Sequence, residues 1–174
     1  MRLGPESGAA CYVFTYKEGL LSAVAHDLKL TVTAFSIELA DDLSRVEATF
    51  DARSLRVVCT MHDGRPGSPP GDRDRASIEA SVAGDVLAAR KFPQIRFVST
   101  RVQREGEHAT VDGALTLHGR TRNVTARAEH TAGEWVARVR LQQEDFGIRP
   151  YSAMLGTLRV RGELDVEVRI RGVS

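Results

Sequence analysis

The sequence predicts a mainly β protein, a single antiparallel β-barrel of about eight strands with one α-helix. Three observations predict it. The first is the stretch Leu158 to Ile170. Leu158, Val160, Leu164, Val166, Val168 and Ile170 share one face, with Gly162 in the same register, while Arg159, Arg161, Glu163, Asp165, Glu167 and Arg169 share the other. Such alternation marks a strand with one dry and one wet face. At roughly 3.3 Å per residue it spans roughly 43 Å, long for a strand and suited to a barrel stave. Gly162 is the expected bend, because glycine inside a strand often marks a barrel corner or bulge. The second observation is a series of shorter alternating runs separated by turn signals, the spacing of an antiparallel meander. The third is that one segment alone carries a convincing helical period.

The elements follow in order. Cys11 to Lys17 is aromatic and β-branched, a first strand. Glu18-Gly19 marks a turn, and Leu20 to Ala25 is a short apolar run suited to a helical turn or a strand start. Leu28, Leu30, Val32 and Ala34 alternate, then the register slips to Phe35, Ile37 and Leu39. A one-residue slip predicts a bulge or sharp bend. After the turn at Asp41-Asp42, Val46, Ala48, Phe50 and Ala52 form another amphipathic strand. Residues 61–75 hold three prolines and three glycines, which predicts a mobile loop, either a lid over a barrel mouth or a surface insertion.

Asp74 is the expected N-cap of a helix over residues 75–90, with Ile78, Val82, Val86 and Leu87 on its apolar stripe. Pro93 stops it. Strands are then expected at Ile95 to Val102, Thr110 to Leu117, Thr121 to His130 and Trp135 to Leu141, with turns at His118-Gly119 and Ala132-Gly133. An irregular corner from Asp145 to Gly156 precedes the long last strand.

A chain of 174 residues fits one domain over residues 1–174. The net charge is +1, from 24 basic against 23 acidic residues, which gives no field to attract nucleic acid. No apolar run is long enough for a transmembrane helix, and the first residues lack the apolar core of a secretory signal, so a cytoplasmic protein is expected. Cys11 and Cys59 have no metal spacing and are expected as buried thiols. The histidines His26, His62, His108, His118 and His130 show no H-x-H or H-E-x-x-H pattern, so no metal site is expected. Asp145-Phe146-Gly147 spells a kinase-like triplet without its companion motifs. Glu144 and Asp145 would face opposite ways on a strand, a poor acid–base pair. No catalytic residue and no cofactor are expected. The Arg159, Arg161 and Arg169 row sits beside Glu163, Asp165 and Glu167 as a self-compensated wet face.

Three segments carry a family resemblance. Residues 89–100 (A-R-K-F-P-Q-I-R-F-V-S-T) form a charged-aromatic-proline entry into a strand ending F-x-S. Residues 111–124 (V-D-G-A-L-T-L-H-G-R-T-R-N-V) form a G-x-L-T-x-x-G-x-T-x-x-V hairpin. Glu144 to Ile148 forms an acidic-x-F-G-I corner, and Ser54-Leu55 adds a serine after an early strand. In this order and spacing they resemble the YceI-like family, the lipocalin-like polyisoprenoid-binding proteins. The resemblance covers most of the chain. It implies a lipocalin-like barrel filled by the tail of an isoprenoid-type lipid or another long apolar amphiphile, and it does not imply catalysis. The Pro/Gly-rich loop at 61–75 departs from the tighter charged connection of the family.

The expected ligand-lining residues are Phe14, Leu28, Leu30 and Phe50 from the first half. From the second half they are Phe97, Leu115, Leu117, Trp135, Phe146, Leu158 and Val160. Burying one five-carbon isoprene unit offers roughly 3 to 4 kcal/mol before costs. Micromolar binding needs roughly 8 kcal/mol, so a few units in a dry interior suffice. The alternative is a structural or protein-interaction module whose barrel is filled by its own side chains. A homodimer is compatible with either.

Overall fold

Alternation of apolar and polar side chains builds one antiparallel sheet curled on itself. The computed structural model describes residues 1–18 and 26–172. The N-terminal strands are β1 (Arg2–Leu3), β2 (Ala10–Glu18), β3 (Asp27–Val32), β4 (Phe35–Leu39), β5 (Val46–Asp51), β6 (Leu55–His62) and β7 (Arg65–Pro66). The C-terminal strands are β8 (Gln94–Glu105), β9 (His108–Leu117), β10 (Arg120–Thr131), β11 (Glu134–Gln142), β12 (Ser152–Ala153) and β13 (Leu158–Arg171). Between the two sets lies helix α1 (Asp72–Ser81), extended by a π turn at Val82–Val86. The hydrogen-bonded order is β1-β4-β5-β8-β9-β10-β11-β13-β2-β3-β6-β7, with β12 also on β13. Among the described residues no helix is long and apolar enough to cross a membrane. The expected run at Leu20 to Ala25 lies outside the described residues.

Among the described residues the sheet has thirteen strands, not about eight. Two bends account for much of the difference. Thr33–Ala34 divides β3 from β4, at the register slip seen in the sequence, and Ala52–Ser54 divides β5 from β6. Ser54 pins the double corner. Its hydroxyl accepts from the Ala34 N–H at 3.1 Å and donates to the Asp51 carbonyl at 2.8 Å, while its own carbonyl accepts from the Thr33 N–H at 3.0 Å. The two-residue strands β1, β7 and β12 supply the rest. Strand β6 had no expectation in the sequence. Its alternation is broken at Val57-Val58, where a bulge faces Lys29 and Leu30 of β3.

Strands β9 to β11 are joined by two-residue turns, His118-Gly119 and Ala132-Gly133. Both residues of each turn have positive φ, as tight hairpins require. Strand β13 runs along β11 from Arg171↔Glu134 to Glu163↔Gln142 and along β2 from Arg169↔Ala10 to Arg159↔Glu18. On the β2 side a bulge falls between Val160 and Leu164, around Gly162. Four steps on β13 there face two on β2, so inside–outside parity survives the bend.

The helix occupies residues 72–86 rather than 75–90. Gly71 is its N-cap in place of Asp74, and Asp72 and Asp74 both sit in the first turn, favoured by the helix dipole. It ends early because the Leu87 N–H reaches back to the Val82 carbonyl at 2.9 Å and Ala88 turns left-handed. Glu79 ties the helix to the sheet: its carboxylate accepts the Val57 N–H at 2.9 Å. The 61–75 segment begins as a short hairpin, with Met61↔Pro66 and His62↔Arg65 paired.

On the outer face the β13 charges are compensated mainly by β11 rather than within their own row, where Arg169 meets Glu167 at 2.7 Å. Arg138 meets Glu167 at 2.8 Å, and Arg140 holds both oxygens of Asp165 at 2.9 Å. The Arg140 hydrogen bonds hold the Asp165 carboxyl below its usual range. Tyr16 donates to Asp165, and burial together with that bond pushes the Tyr16 phenol up to about 12.

Two outcomes follow from this architecture. A Cβ at Gly113 would lie 2.5 Å from the Val98 carbonyl oxygen and from the Phe97 ring. Gly113→Ala is therefore expected to lower the unfolding free energy by about 1–3 kcal/mol in denaturant melts. Because the folded-state pKa of Asp165 is depressed, its contribution is present above the ordinary aspartate range, about pH 4, and lost as pH falls through the folded value. The stability gap between wild type and Asp165→Asn should thus be widest near neutrality and narrow in acid; a gap independent of pH would contradict the assignment.

Candidate functional site

Strand parity decides what the interior is made of. Cys11, Val13 and Thr15 of β2, Leu28, Leu30 and Val32 of β3, and Val160, Leu164, Val166, Val168 and Ile170 of β13 all point inward. So do Ile95 and Phe97 of β8, and Trp135, Ala137, Val139 and Leu141 of β11. Helix α1 and its π turn add Ile78, Val82 and Val86. These side chains line a cavity of about 1070 Å³. That matches or exceeds the roughly 300–1,000 Å³ of ordinary small-ligand sites.

The space exists because several inward positions are small. Ala109, Ala128 and Ala137 are cross-strand neighbours on β9, β10 and β11, and all three line the cavity. Ala126 and Ala48 line it as well. A row of alanines leaves a gap that leucines in the same places would fill.

Polar lining groups gather at the two ends. At one end are Lys17, His26, Tyr151 and Arg159, with Asp74 and Ser77 of α1. At the other are Asp42, Ser44 and Arg104, and the Arg104 guanidinium sits 5.1 Å from the centre of the Trp135 ring. The wall between is nearly all apolar. Its polar members are quiet: Gln143 is buried and donates to the Arg161 carbonyl at 2.9 Å, and burial pushes the Cys11 thiol up to about 12, keeping it neutral. Among the described residues no group of three His, Cys, Asp or Glu is placed to hold a metal ion. The arrangement can solvate a long apolar chain and meet a polar group at either end.

Of the expected lining residues, Leu28, Leu30, Phe50, Phe97, Leu115, Leu117, Trp135, Leu158 and Val160 face the cavity. Phe14 does not. It alternates with Val13 and Thr15 and so lies on the outer face, where the Lys29 ammonium packs 3.8 Å from the Tyr12 ring centre and 5.8 Å from that of Phe14. Phe146 is buried but sits behind the wall in the turn Gln143–Phe146, and its neighbours Gln143 and Ile148 reach the cavity instead. The alanine row was missed in the sequence, and the helix face, expected to lie against the sheet or plug a barrel end, was not among the expected lining residues. The stripe Ile78, Val82 and Val86 was a signal for the helix face, whereas the alanines gave none without the register.

The YceI-like domain family matches residues 10–172 of this chain. The chain belongs to the YceI-like family. A UPF0312 protein of Pseudomonas putida strain W619 is 36% identical over 103 residues, covering 53% of this chain and 50% of that protein. Protein YceI of Salmonella arizonae is 43% identical over 84 residues, covering 47% of this chain and 42% of its own length. The chain thus spans about half the length of these curated YceI-like relatives. BcnA of Burkholderia cenocepacia superposes with a TM-score of 0.66 at 16% identity, over 95% of this chain and 97% of BcnA. A polyisoprenoid binding domain from Saccharophagus degradans, implicated in plant cell wall breakdown, superposes with a TM-score of 0.59 at 10% identity, over 94% and 92%. At such low identity these two structures show that the YceI-like fold is shared.

The state of Cys11 offers a check on the interior of this YceI-like barrel. In a Cys59→Ser background the native protein should leave Cys11 unreactive toward a water-soluble disulfide reagent at mildly alkaline pH, and denaturant should release one thiol. Rapid native-state labelling would contradict its burial.

Proposed function

We propose that this chain is a non-enzymatic carrier that holds an isoprenoid-type lipid, or a similar long apolar amphiphile, inside the curled sheet. The observation that carries the proposal is the cavity itself: about 1070 Å³, apolar along its wall and polar at its ends. Membership of the YceI-like family and a structural neighbour described as polyisoprenoid-binding support it. Each buried methylene contributes roughly 0.8 kcal/mol, so three or four isoprene units outweigh the cost of immobilising the chain and reach roughly micromolar affinity.

A barrel filled by its own side chains, acting as a structural or interaction module, is the competing function. The alanine row weighs against it, because inward positions that small leave the centre unfilled. No acid, base and nucleophile converge on the cavity wall among the described residues, so the proposal contains no chemical step.

The chain has one tryptophan, and Trp135 lines the cavity, which gives a built-in reporter. Titration with a prenylated quinone should quench Trp135 fluorescence to saturation near one equivalent. Leu117→Arg and Val160→Arg each place a charge in the apolar wall and should weaken binding by roughly a hundredfold or more while the melt stays cooperative. Unchanged quenching in either folded variant would contradict the lining assignment, and no quenching in wild type would contradict the carrier function.

A further inference from the structure

One hairpin at the Lys17 end of the cavity carries a side chain that the fold does not use. Strand β12 pairs with the start of β13, Ser152 against Arg159 and Ala153 against Leu158. Residues 154–157 are therefore the tip of a short hairpin. Leu155 sits on that tip with its side chain wholly in water, at 105% relative exposure. Its backbone is left-handed, with φ 55° and ψ 34°. Glycine or asparagine adopts that conformation readily, whereas a leucine adopts it at a cost in free energy. Leu155 thus combines an exposed apolar side chain with a strained backbone, and it buries nothing. Tyr151, exposed on the same hairpin, also lines the cavity rim.

The charge around this tip is one-sided. Residues 147–162 contain Arg149, Arg159 and Arg161 and no carboxylate. All three arginines are exposed, and none has an ion pair with a described residue. The Arg159 Nε instead donates to the Gly156 carbonyl at 2.8 Å and holds the tip in shape. Carboxylates reach this end from neighbouring elements: Glu18 lies opposite Arg159 on β2, Asp27 accepts the Lys17 backbone N–H at 2.8 Å, and Asp74 lines the cavity from α1. The positive excess therefore sits on the hairpin itself. An exposed apolar tip flanked by unpaired arginines suits the boundary between acyl chains and anionic head groups.

We propose that the hairpin 151–159 docks the protein on an anionic lipid bilayer. Leu155 enters among the acyl chains, Tyr151 lies at the head-group level, and Arg149, Arg159 and Arg161 face the lipid phosphates. Docking in this way sets the cavity rim against the membrane. A long apolar chain then passes between bilayer and cavity without crossing water. The proposal rests on the carrier function and names the surface from which the carrier loads.

The test is co-sedimentation of the full chain with vesicles of phosphatidylcholine, with and without phosphatidylglycerol. Wild type should partition onto the mixed vesicles roughly tenfold more strongly than onto the neutral ones, and high salt should remove the difference. Leu155→Asn suits the left-handed backbone and removes no buried contact, so it should melt like wild type. It should partition onto mixed vesicles roughly tenfold more weakly. Its affinity for a prenylated quinone, read by Trp135 quenching, should not change, whereas its uptake of the quinone from vesicles should slow. Arg149→Gln should weaken partition onto mixed vesicles severalfold and leave partition onto neutral ones unchanged.

Equal partition of wild type and Leu155→Asn would overturn the docking hairpin while leaving the carrier intact. So would equal partition onto neutral and mixed vesicles. Absence from both kinds of vesicle would overturn it as well, and would turn the exposed tip toward a protein partner. Docking on mixed vesicles with no quenching of Trp135 by the quinone would overturn the carrier function, and the loading step with it.

Discussion

The pairing of β13 with both β11 and β2 is the constraint on which the rest depends. The chain is built in two halves, strands β1 to β7 and strands β8 to β13. They meet along two seams, β5 against β8 and β13 against β2. With only one seam the sheet is an open, twisted ribbon with its apolar face in water. With both, it curls around its apolar inner face. The fourteen residues of β13 make the second seam long enough to hold, and its strict alternation supplies both an inner wall and a compensated outer row of charges. The bulge around Gly162 bends this strand without reversing its faces.

A curled sheet need not be hollow. What keeps it so is side-chain size rather than backbone shape. Where β9, β10 and β11 run side by side, the inward register places Ala109, Ala128 and Ala137 next to one another. The large residues Phe50, Phe97 and Trp135 line the wall, and α1, tied to the Val57 amide through Glu79, adds its apolar stripe to one side. The volume so preserved is apolar along its length and polar at its ends. That distribution suits the amphiphile of the proposed function.

Much of this was legible because period two is a strong signal where a strand is unbroken. The segments β2, β5, β9, β10, β11 and β13 could be read from alternation and glycine turns. The slip at Ala34-Phe35 correctly marked a corner. Legibility failed where the backbone departs from period two. Strand β6 disappeared because Val57 and Val58 are consecutive and one of them sits in a bulge. The helix bounds moved because a π turn and a left-handed Ala88 end it, and neither has a residue signature. Phe14 was chosen for its chemistry, whereas its parity with Val13 and Thr15 sends it outward. The alanine row carries information only once cross-strand register is known, since an alanine in a strand reads as weak on its own.

The central claim is that the interior is a ligand site rather than a filled core, and native mass spectrometry of freshly purified protein tests it most directly. The account predicts a stoichiometric adduct that extracts into organic solvent as a long-chain amphiphile, or stoichiometric uptake of an added prenyl compound by bare protein. A bare mass that stays bare in the presence of both neutral and anionic prenyl compounds would contradict it.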